Sequence, residues 1–386
     1  MLTNADIAEL TDWRRDLHRF PEVSGQERET AARVVAALAA TRPDQVVTGL
    51  GGHGVAAVWN GTAPGDTVLF RAELDALPID EVGQPDWRST VPGKGHMCGH
   101  DGHMTILMAL ARLITRRRPA TGRVILMFQP AEETGAGAAA VMADPRFAAL
   151  KPDWAFALHN MPGLPLGHAA LQVGTMMCAS QGMVVRLTGK TAHASMPETG
   201  TSPVHAVARL IPALLALGPG VALGGAVDET LRMVTITHTR IGEPAFGISP
   251  GYGELWVKLR TRDDGPMAAL RAAAETLVRA EAARDGLQVV IETHDSFAAT
   301  VNDPDAIARL TAALGALNLP HDDRNLPLRA SEDFGRFGAD STKMAMMFLG
   351  SGEKHPQLHN PDYDFPDSLI PVGARLFQRV MTDILG

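Results

Sequence analysis

The apolar positions Ile7, Leu10, Trp13 and Leu17 recur at the spacing of one helix face, and Pro21 ends that run. A second helix is expected from Glu27 through an alanine-rich stretch to Ala40. Beyond it, short apolar runs read as strands: GVAAVW at 54–59, TVLFRAELD at 67–75, RVILMFQPAEE at 123–133 and WAFALHN at 154–160. The segment TILMALARLITRR at 105–117 keeps helical spacing between them. This alternation predicts an α/β domain, a mixed sheet flanked by helices.

Near Gly182 the texture changes. GMVVRLTG precedes a long apolar helix at 203–217, then RMVTITHTRIG and GELWVKLRT as strands, a helix at 266–284, and LQVVIETH. Strand, helix, two strands, helix, strand is the pattern of a compact ferredoxin-like α+β sandwich. A smaller inserted domain is therefore expected over 181–293, with 1–180 and 294–386 forming one discontinuous domain. The helix at 304–317, KMAMMFLG at 343–350 and the helix at 368–384 resume the first pattern. VALGGAVDE at 221–229 reads as a mobile loop. A chain of 386 residues, 45% of them hydrophobic, exceeds one ordinary core, which agrees with two domains.

Charge narrows the partners. Thirty-five basic residues against 43 acidic ones give a net charge of −8, with no basic run longer than Arg116–Arg118, so neither nucleic acid nor an anionic membrane is expected. No apolar run approaches the roughly 18 residues that cross a bilayer. Two cysteines make no disulfide framework, and the opening lacks the apolar core of a signal peptide, so a reducing cytoplasm is the expected compartment.

The chemistry concentrates in HMCGHDGHM, His96 to Met104. Cys98 and His100 sit there in a glycine-flanked loop before a helix. Asp75 ends one strand, Glu132 and Glu133 end another, His159 a third, and His359 lies in a late loop. Donors at strand ends of an open sheet converge on one crevice. Thiolate, imidazole and carboxylate together suit zinc, cobalt or manganese. Adjacent residues of an extended segment point to opposite sides, so Glu132 and Glu133 are expected to differ in role, one holding metal and the other handling protons. Cys178 reads as a small buried hydrophobe. Two rival readings remain: Cys98 as a covalent thiol nucleophile with His100 as its base, and a metal-storing or non-catalytic binding protein. The first leaves Glu132, Glu133, His159 and His359 without a part; the second leaves Glu132 without one.

The segments LHRFPEVSGQE, FRAELDALPI, HMCGHDGHM, FQPAEETGAGA, LHN, GKTAHASMPETGTSPV, SEDF and LHNPDYDF resemble, in order and spacing, the two-metal amidohydrolases. That family includes hippurate hydrolases, N-acyl-amino-acid amidohydrolases and auxin-conjugate hydrolases, within the aminoacylase and carboxypeptidase superfamily. The resemblance implies two divalent ions (zinc, manganese or cobalt) held by Cys98, His100, Glu133, His159 and His359, with Cys98 bridging them. It implies Glu132 as general base, Asp75 as a residue orienting a ligand, and His193 as a donor to the oxyanion, often reaching the partner subunit's site. It further implies an N-acyl amino acid substrate and a homodimer formed through the inserted lid domain. A dipeptidase or carboxypeptidase of the same superfamily is the nearest alternative, although an aspartate holds the bridging place there. Asp101 reads either as an orienting partner of His100 or as a solvent-facing helix cap. Two departures stand out: Glu73-Leu74-Asp75 replaces the Asp-x-Asp common in relatives, and Gly247-Ile248-Ser249-Pro250 replaces Asn-Val-Ile-Pro. Met176, Met177 and Met183 read as core rather than as the acyl pocket.

Overall fold

The computed structural model describes residues 1–218, 227–339 and 341–386, so most of the expected mobile loop, 221–226, lies outside the described residues. The chain divides into two compact units: Met1–Met176 with Thr300–Leu326 and Glu332–Gly386, and Met177–Ala299 with Pro327–Ser331. The second unit is thus wider than the expected 181–293 and takes an extra short segment from the later chain.

In chain order the elements are α1 (Asn4–Arg19), α2 (Arg28–Ala39), β1 (Gln45–Leu50), β2 (Gly54–Asn60), β3 (Ala63–Glu73), α3 (His100–Arg116), β4 (Thr121–Gln129), α4 (Gly137–Ala143), β5 (Trp154–Pro162), β6 (Ala169–Ala170) and β7 (Gly174–Met177). Next come β8 (Ala179–Thr188), β9 (Ala192–His193), α5 (Val204–Ala216), β10 (Arg232–Ile241), β11 (Ile248–Ser249), β12 (Tyr252–Thr261), α6 (Asp264–Arg284) and β13 (Gln288–Phe297). β14 (Thr300–Asn302), α7 (Pro304–Ala316), β15 (His321–Asp322), β16 (Lys343–Gly352) and α8 (Leu369–Leu385) complete the list.

Among the described residues the first unit holds an eight-stranded sheet in the order β1-β2-β4-β3-β5-β16-β6-β15. Its centre, β4-β3-β5-β16, is parallel, and β1, β2 and β6 add antiparallel pairs. The parallel strands read as nearly continuous apolar runs because both faces are covered: Val68, Leu69, Phe70, Val124, Ile125, Leu126 and Phe156 are all fully buried. α3 is buried on nearly every side, which its apolar sequence permits. β1 was missed because it is short and exposed along most of its length. Two strands end earlier than the pattern suggests, β3 at Glu73 and β4 at Gln129, so Asp75, Glu132 and Glu133 stand in the loops that follow.

The second unit has a four-stranded antiparallel sheet ordered β10-β12-β8-β13. Alternation along β8 and β12 puts Met183, Val185, Leu187, Leu255, Val257 and Leu259 on one face, packed with Leu210 and Leu214 of α5 and Leu270 and Val278 of α6. That is the ferredoxin-like arrangement. Met183 belongs to this core, and Met176 and Met177 are also buried.

One buried polar cluster ties α1 to α3. Asp101 is fully buried and accepts from Arg14 at 3.1 Å, with the His18 ring nitrogen 2.8 Å away. The solvent-facing cap reading of Asp101 is therefore corrected: Arg14 and His18, one helical turn apart on α1, enclose it. Burial opposes a charged His18, but Asp101 and Glu81 outweigh it and raise its pKa from 6.5 to about 9. The folded state thus favours the imidazolium; this stabilisation is whole below about pH 6.5 and disappears as pH climbs through about 9. The melting-temperature gap between the parent and His18→Gln should accordingly shrink across that window in thermal denaturation; a gap independent of pH would show that His18 is neutral.

Candidate metal centre

The carboxyl ends of β3, β4, β5 and β16 gather the donors. Asp75 follows β3 by two residues, Glu132 and Glu133 follow β4 by three and four, His159 lies in β5, and His359 comes after β16. Cys98 precedes the first turn of α3, which His100 opens. Gly99, between them, has φ 84°, and a β-carbon there would fall 2.5 Å from Nδ2 of Asn160, so only glycine lets the thiol loop lie against β5. His359 also adopts a left-handed conformation, φ 66°, with its N–H donating to the Met97 carbonyl at 2.8 Å.

Several groups of three donors result, among them His100 with Glu132 and Glu133, and Glu132 with Glu332 and Asp333; two others share one residue. The ligand atoms of Cys98, His100 and His159 lie within 4.8 Å of one another, and so do those of Cys98, Glu133 and His359. The thiol is common to both. Its sulfur is 3.4 Å from His159 Nε2, while Nε2 of His359 is 3.6 Å from a Glu133 oxygen. Backbone carbonyls fix the rings: His100 Nδ1 donates to the Asp75 carbonyl at 2.8 Å and His159 Nδ1 to that of Asn160 at 2.7 Å, leaving each Nε2 as a lone-pair donor.

Asp75 is not in either triad. Its two oxygens accept the N–H groups of Glu132 at 3.1 Å and Glu133 at 3.0 Å, and Ser24 donates to it at 2.6 Å. The expectation that Glu132 and Glu133 point to opposite sides is corrected by this turn. They do not continue a strand: Ala131 takes φ 51°, and both carboxylates come within 3.9 Å and 3.8 Å of His100 Nε2.

Electrostatics show what the cluster lacks. Burial pushes the Cys98 thiol well up, with Glu133 and Glu132 adding to the shift. Burial likewise raises Glu132, reinforced by Glu332 and Glu133, and raises Glu133. Burial resists charge on His100, yet Glu73 and Glu133 overcome it and raise its pKa. These groups crowd lone pairs and negative charge into a space short of cations. His100 Nε2 and Glu133 Oε1 are moreover buried without a hydrogen-bond partner. Soft and hard donors, mutually repelling and partly orphaned, fit a pair of divalent ions. A thiol pushed upward is the reverse of an activated nucleophile, which removes support from the covalent-cysteine reading.

Glu73 is otherwise engaged. It pairs with Arg71 and lies 2.7 Å from His103 Nδ1, although it also groups with His100 and His103 as a possible ligand set. Arg71, fully buried, further holds Glu332 at 2.8 Å and Asp333 at 2.7 Å. Asn160 bridges the centre from below, donating to the Cys98 carbonyl at 2.7 Å and accepting from Tyr363. Sequence reasoning missed Arg71, His103 and Asn160 as parts of this site; His103, one turn after His100 on α3, was the legible hint.

His193 lies in the second unit, exposed on β9 and paired in register with Ile248, its Nδ1 2.7 Å from Ser195 Oγ. A β-carbon on Gly247 would meet nothing within 4 Å, so packing does not force glycine there. Cys178 is fully buried, and its thiol is pushed up to about 11 by burial.

Known proteins resemble this chain in sequence and in fold. A hippurate hydrolase of Campylobacter jejuni is 29% identical over 372 residues, 95% of this chain and 94% of its own length. IAA-amino acid hydrolase ILR1-like 5 of Arabidopsis thaliana is 29% identical and covers 100% of this chain, which spans 89% of it. A Rhodococcus jostii protein bearing a glutamate–cysteine ligase name is 31% identical over 97% of this chain, which spans about half, 46%, of that relative. Among solved structures, Bacillus subtilis YXEP, described as a dinuclear metal binding peptidase, superposes with TM-score 0.81 at 24% identity, covering 100% of this chain and 99% of its own. No described helix is long and apolar enough to cross a membrane. The model for Peptidase family M20/M25/M40 matches residues 69–383, most of the chain, and the chain belongs to that family.

Proposed function

We propose that this protein is a two-metal amidohydrolase that cleaves the amide of N-acyl amino acids, releasing a carboxylic acid and a free amino acid. The observation that supports it is the sharing of Cys98 between two donor triads with the Glu132 carboxylate beside them. The hippurate and IAA-amino acid hydrolases among its relatives supply the substrate class.

In this reading Cys98, His100, Glu133, His159 and His359 hold the ions. When bound, two such ions bring the pKa of the attacking water from 15.7 toward about 7 and offset charge on the amide oxygen. Glu132, raised by burial and its carboxylate neighbours, takes the proton of that water and passes it to the leaving nitrogen. Asp75 holds the backbone that carries Glu132. His193 donates to the oxygen that becomes negative. We also assign the protein to the reducing cytoplasm, where its two free cysteines persist, and its assembly to a homodimer through the second unit.

Incubation with a panel of N-benzoyl, N-acetyl and indole-acetyl amino acids, with and without chelator, tests the activity; cleavage untouched by complete metal removal refutes it. Glu132→Gln should lower kcat by about 10² to 10⁴ while keeping bound metal, measured by elemental analysis of the same sample. For His193→Ala, kcat should fall on the order of 10² to 10³ with metal content unchanged, and unaltered kinetics would remove it from the mechanism. Because one thiol serves both triads, Cys98→Ala should lose both ions, whereas His359→Ala should keep about one per chain; equal losses would show that the thiol is not shared.

A further inference from the structure

The helix-opening Glu27 has no part in the chemistry above, yet its carboxylate is fully buried. Its Oε1 accepts the N–H of Ala131 at 2.8 Å and that of Gly25 at 2.9 Å. The next two amides along the chain, those of Glu132 and Glu133, go to the two oxygens of Asp75. Three consecutive N–H groups are thus gripped by two carboxylates, one from the start of α2 and one from the loop after β3. Ala131 needs that grip. Its φ of 51° is a region alanine leaves when nothing holds it, and leaving would swing the carboxylates of Glu132 and Glu133 away from His100 Nε2.

We propose that Glu27 is a positioning residue: with Asp75 it clamps the 131–133 backbone in the left-handed turn that aims Glu132 and Glu133 into the metal centre. The inference rests on the function proposed above for what the two glutamates then do. The clamp itself is independent of turnover. Removing Glu27 leaves the Ala131 N–H without its acceptor and frees the turn. Glutamine retains an amide oxygen in the same place. Glycine at 131 adopts positive φ without the β-carbon's penalty, so it removes the need for the clamp.

The test uses the full chain with three changes: Glu27→Ala, Glu27→Gln, and Glu27→Ala combined with Ala131→Gly. Zinc affinity of the metal-stripped protein is read by competition with a chromophoric chelator, alongside kcat and KM on hippurate. Glu27→Ala should weaken zinc binding by about 10- to 100-fold and lower kcat with little change in KM. Glu27→Gln should bind zinc like the parent, and the double variant should recover most of the lost affinity. Parental zinc affinity in Glu27→Ala overturns the inference; so does a loss in Glu27→Ala that the double variant does not repair, which marks Glu27 as a general prop of the fold. If Glu27→Ala does not fold, the double variant and Glu27→Gln decide, and weak zinc binding in both refutes the clamp. Should the parent hydrolyse no N-acyl amino acid, the proposed function fails while the zinc measurement still judges the clamp.

Discussion

A buried cluster of donors short of positive charge is the constraint around which the first unit is organised. Cys98, His100, Glu132, Glu133 and His159 are drawn into one place where water is scarce, and ionised side chains there are costly unless paired or coordinated. Nearby, the chain meets part of the same problem with its own cation: Arg71 sits among Glu73, Glu332 and Asp333 and pairs with each. Two solutions to carboxylate burial therefore stand side by side. One is an internal guanidinium; the other leaves room for ions from outside.

The second consequence is that backbone, rather than side chains, carries much of the precision. Carbonyls of residues 75 and 160 set the tautomers of His100 and His159, and amides at 131–133 are anchored by carboxylates. The candidate ligands are held in place by such supports, and their geometry depends on left-handed turns at Ala131 and His359 that these residues would not choose alone.

The periodic parts of this architecture could be read from the chain. The opening helix, those expected at 105–117 and 368–384, and the central strands announce themselves because their apolar spacing is strong, although α3 begins five residues earlier than expected and takes His100 out of the loop. Cys98, His100, Glu133, His159 and His359 were legible as candidate donors because their residue types fall at loops and strand ends, and the structure brings their ligand atoms close together. What escaped was fixed by contacts between distant segments. Nothing local in PAEE says that Ala131 turns left-handed, because the cause lies at Glu27 and Asp75, 104 and 56 or more positions earlier in the chain. Extended geometry was the natural assumption, and it misdirected Glu132 and Glu133. Asp101 could be read as an orienting partner of His100 or as a surface cap, and neither reading reached its actual partners Arg14 and His18 because they belong to another helix. His103 and Asn160 were hidden for the same reason, their partners being Glu73, Cys98 and Tyr363.

The first unit is interrupted in the chain, and this bears on how the protein is made. β16 pairs with β5 in the middle of the sheet, α8 packs against α3, and His359 lies beyond the whole of the second unit. A nascent chain that has emerged only as far as residue 176 carries β5 with an open edge and α3 with a bare flank, surfaces of the kind that chaperones capture. The middle of the sheet, and the donor cluster to which His359 belongs, can therefore be completed only after the whole second unit has left the ribosome.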